Sequence, residues 1–321
     1  MTDVLITGIT GFIGQHLAKI LLDKGYNVYG IIKYAANRDL KPLNNIKDDI
    51  VFLTTDLTSY PSVANTFKNV KPDFIVHLAA LSPVRHSFER PHEYEQANIL
   101  GTMNVVHALM ELPDFKSRRL LVASTAEVYG IQEPKPFYED LQLKPSSPYA
   151  VTKAAADMYV RMAIHTFGLN AVVLRPTNSY GRKFDTGFLV EYLVTQMLKG
   201  NKVYIGAPDS IRDYMYVDDH VNGYVHAIEK PQAQGEVFNV GTGIPVKNRE
   251  LVEKIAKMSG KGMDNIVLGS YPPGYPQRPL ISDQPYLVLD PKKIKSKLGW
   301  EPKVSLEQGL RRTIDYWKQN T

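Results

Sequence analysis

The chain has 321 residues, 44% hydrophobic and 22% charged, enough to bury a large core and too mixed in composition for disorder. It has no cysteine, which excludes disulfides, thiolate nucleophiles and cysteine-ligated zinc, so any redox chemistry falls to a bound cofactor and no metal site is expected. The net charge of +5 is spread over scattered Lys and Arg, which argues against nucleic-acid binding and suits a phosphate-bearing ligand.

Residues 1–7 enter a strand pattern at once without a basic leader, and no apolar run reaches membrane-spanning length; a cytoplasmic protein that binds no membrane is expected. Strand-like runs at 4–7, 28–32, 51–54, 74–78, 120–123 and 172–174 alternate with amphipathic segments such as 11–24. The runs are continuous in Val, Ile and Leu, as in strands covered on both faces, so the expected fold is α/β, a doubly wound parallel (Rossmann) sheet. Beyond residue 174 come Pro/Gly/Tyr-rich stretches at 175–182, 206–216 and 270–285 and helical patterns near 187–198, 249–258 and 306–317. Residues 1–175 are therefore expected to form the dinucleotide domain. Residues 176–321 should form a smaller substrate lobe, with some segments returning to the first domain and a cleft between.

The first strand runs into Gly8, Gly11, Phe12, Ile13 and Gly14 and then a helix. In that setting Gly8 permits a tight turn, Gly11 lets the backbone approach a pyrophosphate, and Gly14 allows close helix–sheet packing, with the helix N-terminus offering N–H groups. The second strand ends at Lys33, with Arg38 nearby and no acid before Asp39, which favours the extra phosphate of NADP over NAD. Asp56 and Leu57, after the third strand, suit the adenine edge or a plain helix-start turn.

The 120–123 strand leads into Thr125 and Glu127 at the carboxyl edge of the sheet, where ligands bind. Tyr149 and Lys153 open a helical run at i, i+4 and share one face. Such a pair alone is usually an exposed helix face. Beside a dinucleotide loop it is a tuned acid/base, the lysine and an oxidised nicotinamide lowering the tyrosine pKa so that tyrosinate takes a hydroxyl proton as hydride leaves.

Together with the 7–14 loop, His77 to Ala80, Asn98 with Gly101 and Thr102, Arg175 with Pro176, Asn178, the 212–214 run and Gly299, Trp300 and Pro302, these residues resemble the nucleotide-sugar epimerase/dehydratase group of extended short-chain dehydrogenases/reductases almost end to end. The resemblance implies that Thr125, Tyr149 and Lys153 serve redox chemistry at sugar C4, that Leu78, Ala79, Ala80 and Pro176 line the cofactor, and that Asn178, Arg212 and Arg278 contact the sugar diphosphate. Guanidinium forks suit a buried diphosphate on chemical grounds as well. Arg85, with His86 and Ser87, is a candidate sugar contact, and His86 is given no catalytic role.

Glu127 separates the reactions within the group. A carboxylate there matches 4,6-dehydratases and decarboxylases and can remove the C5 proton once C4 is a ketone, whereas 4-epimerases often carry a small residue. Ala126 departs from the dehydratase pattern, which has an acidic residue there. The 278–287 run resembles the GDP-sugar branch, including reductases of the 4-keto products. The expected activity is a 4,6-dehydratase, with a 4-epimerase and a 4-ketoreductase or decarboxylase as alternatives. A non-catalytic NADP-binding regulator predicts erosion of Thr125, Tyr149 or Lys153, and all three are present. The resemblance also implies a homodimer through segments 93–112 and 149–166, presenting Met103, Val106, Leu109, Met158 and Met162.

Overall fold

A computed structural model describes residues 2–33, 40–275, 279 and 282–320. Its centre is a sheet built from β1 (Asp3–Thr7), β2 (Asn27–Ile32), β3 (Ile50–Thr54), β4 (Phe74–His77), β5 (Arg119–Ala123), β6 (Ala171–Pro176) and the strand Val237–Val240. The order across the seven strands is Val237–Val240, β6, β5, β4, β1, β2, β3, and every neighbouring pair is parallel. This is the doubly wound Rossmann arrangement, with the chain reversing direction across the sheet at β1.

Alternation within each strand explains the unbroken apolar runs. Val4 and Ile6 face a core with Leu17, Leu21, Val221 and Trp300, under the helices Phe12–Asp23 and Val217–Glu229. Leu5 faces the opposite core with Phe67, Val105, Leu109 and Val160, under Tyr60–Val70, Gly101–Met110 and Pro148–Phe167. Both faces are buried, so no strand position needs a polar residue.

Two elements without a strong sequence signal complete this half. The strand Val237–Val240 spans four residues, one of them Asn239, and becomes visible only by pairing with β6. Helix Val217–Glu229 starts with Asp218, Asp219 and His220, which hides its apolar stripe. A third core is formed by Leu189–Lys199, Asn248–Met258 and Leu306–Asn320. Beside it the short strand Ile211–Arg212 is flanked by Val246–Lys247 and Tyr286–Leu287.

The helical pair expected to meet a partner needs one correction. Val106 and Leu109 lie in the core of the monomer, because their helix packs against Tyr60–Val70 and the sheet. Val151, Met158 and Met162 on Pro148–Phe167, with Leu100, do remain exposed. Among the described residues, no helix is long and apolar enough to cross a membrane and no cluster of metal-ligating side chains occurs.

Candidate active site

One cleft of about 450 Å³ runs along the carboxyl edge of the sheet. Gly8, Gly11, Phe12, Ile13, Gly14, Leu78, Ala80, Thr125, Glu127, Tyr149, Lys153, Pro176 and Asn178, far apart in sequence, all line it.

The glycine end fits a dinucleotide. Gly8 has φ +70°, and a Cβ there would stand 2.8 Å from the Ala79 nitrogen. A Cβ on Gly14 would stand 2.3 Å from the Gly8 carbonyl oxygen, so strand, turn and helix close up only with glycine at both positions. The helix that follows has Gly11 as its N-cap and no side-chain cap, so its first-turn N–H groups are left for a ligand.

Behind this loop a buried histidine fixes the ends of two strands. The Thr7 hydroxyl accepts from the Ala79 N–H at 3.1 Å and lies 2.8 Å from His77 Nδ1, while His77 Nε2 lies 3.0 Å from the Thr102 hydroxyl. Thr102 already donates to the Asn98 carbonyl, so the consistent tautomer carries its proton on Nε2 and accepts from Thr7. Burial, and then the Lys153 charge, push the His77 pKa down to about 3, so the ring is neutral.

Tyr149 and Lys153 owe their place to a strong helix start. Ser147 caps the helix by accepting from the Ala150 N–H at 3.1 Å, Pro148 occupies the first turn, and Gly168 at φ +68° ends it. Both functional side chains are buried, and Thr125 hydrogen-bonds the phenol. One turn on, Asp157 accepts from Ser124 Oγ at 2.7 Å and from Arg175 Nε and Nη2 at 2.9 and 3.0 Å. Arg175 Nη1 donates to the Tyr129 hydroxyl, which donates to Asn239 Oδ1 at 2.6 Å. A fully buried charge pair thus binds the helix to β5, β6 and Val237–Val240.

Burial dominates the ionisation of both members of the Tyr149 and Lys153 pair. Burial pulls the Lys153 pKa down to about 8, with Asp157 opposing. Burial also pushes the Tyr149 phenol well above its ordinary value, against the Thr125 hydrogen bond and reinforced by the Glu127 charge. In the protein alone, desolvation of the phenol sets the direction of its shift.

Glu127 lies in the 3-10 turn Ala126–Tyr129, which Thr125 caps by accepting from the Glu127 N–H at 3.3 Å. Its carboxylate Oε2 accepts from Gln284 Nε2 at 2.8 Å. The adjacent Ala126 is buried and packs with Val128 and Phe137.

Other expected residues lie outside the cleft lining. Ala79 supports Thr7 through its N–H. Lys33 is exposed at the end of β2, and Asp56 and Leu57 follow β3. The Asp56 carboxyl is held below its usual range first by hydrogen bonds from Thr58, with a smaller contribution from the Lys33 charge. Arg85 stacks its guanidinium on Tyr271 and Tyr275 at 4.0 and 4.8 Å. Arg212 pairs with Asp283 at 3.1 Å. Arg38, Asp39 and Arg278 lie outside the described residues.

Three further lining residues were not singled out from the sequence. Arg182 is sandwiched between Phe12 and Phe188 at 4.2 and 3.6 Å and donates to the Ser179 carbonyl. His220 and Tyr224 project from Val217–Glu229, and His220 Nε2 and the Tyr224 hydroxyl are buried without a partner among the described residues. Burial, and then Arg182, push the His220 pKa down to about 3. The i, i+4 spacing of His220 and Tyr224 was the available signal.

The family model described as GDP-mannose 4,6 dehydratase matches residues 5–313. A UDP-glucuronate 4-epimerase of Thermodesulfobacterium geofontis is 31% identical, the match covering 98% of this chain and 96% of that protein. The structure of a UDP-glucose 4-epimerase from Thermotoga maritima with UDP-glucose superposes with a TM-score of 0.88 at 30% identity, over 99% of both chains. That of a dTDP-glucose 4,6-dehydratase from Bacillus anthracis with NAD gives 0.87 at 26%, over 100% of this chain and 97% of that one.

Proposed function

We propose that this chain, which belongs to the GDP-mannose 4,6-dehydratase family, is an NAD(P)-dependent nucleotide-sugar 4,6-dehydratase forming a 4-keto-6-deoxy sugar nucleotide. The observation that carries the reading is Glu127, a carboxylate that lines the same cleft as Thr125, Tyr149 and Lys153. A dinucleotide held by Gly8 to Gly14, Leu78 and Pro176 would supply a positive charge and a reversible hydride acceptor beside Tyr149. Tyr149 takes the C4 hydroxyl proton as hydride leaves C4, with Thr125 holding the phenol. The ketone acidifies the C5–H bond, and Glu127 takes that proton. Ala126 has no acid to offer, so Glu127 hands the same proton to the C6 hydroxyl, which departs as water. Tyr149 gives its proton to C5 as C6 receives the hydride, and the books of atoms and electrons close.

In this reading Gly8 to Gly14, Leu78 to Ala80 and Pro176 hold the dinucleotide, and Asn178 lies along the substrate side of the cleft. Exposed Lys33 supports NADP over NAD; Lys33→Asp is then expected to reverse the preference in a titration with NADPH and NADH, and equal binding by the wild type would overturn this. Within the nucleotide sugars, the 278–287 run supports a GDP-sugar. Exposed Val151, Met158 and Met162 support a homodimer through Pro148–Phe167, which a monomeric mass at micromolar concentration would overturn.

A second reading, the 4-epimerase, is favoured by the epimerases among the similar proteins. An epimerase needs hydride out and hydride back, with no carbon acid. The deciding experiment is Glu127→Gln with GDP-mannose, dTDP-glucose and UDP-glucose, followed by mass. A dehydratase still reduces its bound cofactor but stops losing water and stops taking up deuterium at C5. Near-normal turnover by this variant would overturn the dehydratase reading in favour of the 4-epimerase or 4-reductase.

A further inference from the structure

Gln284 is 1% exposed, yet half of its amide is unsatisfied. Its Nε2 donates to Glu127 Oε2 at 2.8 Å, with the Glu127 carbonyl at 3.4 Å, while its Oε1 is buried without a partner among the described residues. A buried carbonyl oxygen with no donor is a net loss for folding, and an apolar side chain of the same shape would avoid it. Core packing therefore does not explain a glutamine here. The contact that remains to explain it is the one to the carboxylate.

The backbone around Gln284 is fixed from the C-terminal lobe. Asp283 pairs with Arg212 and accepts from the Tyr271 hydroxyl at 3.1 Å. Pro285 accepts from the Ile211 N–H at 2.9 Å, and Tyr286–Leu287 pairs in parallel with Ile211–Arg212. From that frame the side chain crosses to the Ala126–Tyr129 turn on the Rossmann half. Glu127 is anchored at its own N–H by Thr125, and Gln284 adds a hold at the far end of the side chain. On the cleft side Tyr149 faces the carboxylate from Pro148–Phe167, near enough for the Glu127 charge to act on the phenol.

We propose that Gln284 is the positioning residue for Glu127, holding its carboxylate in the cleft beside Tyr149 at the geometry needed to take the proton next to the oxidised sugar carbon. This rests on the dehydratase reading. It makes the elimination step depend on the C-terminal lobe, while hydride transfer depends on the Rossmann half alone.

The test uses Gln284→Met, which keeps the length and volume and removes both the donor and the unpaired oxygen. Wild type, Gln284→Met and Glu127→Gln are each incubated in deuterated buffer with GDP-mannose, dTDP-glucose and UDP-glucose. Water loss, C5 deuterium uptake, the absorbance of reduced bound cofactor and the melting temperature are read. For Gln284→Met, kcat for water loss and the rate of deuterium uptake are expected to fall about 10- to 100-fold, the size of effect that a misplacement of about 1 Å produces. KM and cofactor reduction should hold, and the melting temperature should stay or rise. Deuterium uptake at the wild-type rate would overturn the positioning role, as would a marked drop in melting temperature, which would make Gln284 structural. Water loss by Glu127→Gln at the wild-type rate, or by no protein on any of the three sugars, would overturn the dehydratase reading and the role with it.

Discussion

Tyr149 and Glu127 share one cleft but are held by different kinds of structure. The Tyr149 side rests on a capped helix and on the Asp157–Arg175 pair, fully buried and bonded to Ser124 and Tyr129. The Glu127 side rests on one short turn and on a side chain arriving from 157 residues further along the chain. Nearby, Asp283 pairs with Arg212 and accepts from the Tyr271 hydroxyl at the edge of solvent. On the proposed roles, Tyr149 rests on the buried sheet framework, whereas Glu127 rests on contacts from distant segments that can vary with less cost to the fold.

The sharpest way to break this comparison is at Tyr149. Tyr149→Phe keeps the ring and removes the proton acceptor, so hydride transfer to the bound cofactor is expected to fall by about 10²- to 10⁴-fold in single-turnover absorbance measurements. Cofactor reduction at the wild-type rate would remove Tyr149 from the redox step.

The supports should differ in stability. Asp157→Ala leaves the Arg175 guanidinium buried without its counter-charge, and a loss of about 3–5 kcal/mol is expected in chemical denaturation. Asp283→Ala removes the pair with Arg212 and the acceptor of the Tyr271 hydroxyl, at side chains about a tenth exposed, and about 1–2 kcal/mol is expected. Equal losses would show that the two sides are equally rigid.

The effect of pH acts through neutral histidines removed from solvent, among them His77 and His220. His77, behind the glycine loop, and His220, in the cleft wall, both have folded pKa values near about 3, below the ordinary 6.5. Below 6.5 the unfolded chain binds protons that the folded one does not, so the stability is fully present above 6.5 and is lost progressively as pH falls toward about 3. Between about pH 7.5 and about pH 5.5 each of these histidines is expected to cost about 1.4 kcal/mol, and His220→Phe should remove one such contribution. An unchanged slope of melting temperature against pH in that variant would mean His220 is charged, or solvated, in the folded protein.

Much of the fold was legible because local pattern and global structure agree along the first 176 residues. Six apolar runs became the six strands β1 to β6, and Gly8, Gly11 and Gly14 mark a turn that excludes any Cβ. The Tyr149 and Lys153 pair was visible at i, i+4 behind a Ser-Pro helix start. Val237–Val240 was not visible, since a four-residue strand with a central Asn has no period of its own and is recruited by the edge of β6. Nor could Val106 and Leu109 be assigned to the core from their helix alone, because helix periodicity does not say which neighbour covers a face.

The sequence by itself determined the sheet, the glycine loop and the shared helix face of Tyr149 and Lys153, because each rests on residues close along the chain whose spacing sets their geometry. Only the tertiary structure decided the rest: that burial dominates the Tyr149 and Lys153 ionisations, that Arg182, His220 and Tyr224 line the cleft, and that Gln284 meets Glu127. Desolvation and contacts between lobes depend on what the whole fold stacks around a group, and no local pattern carries that information.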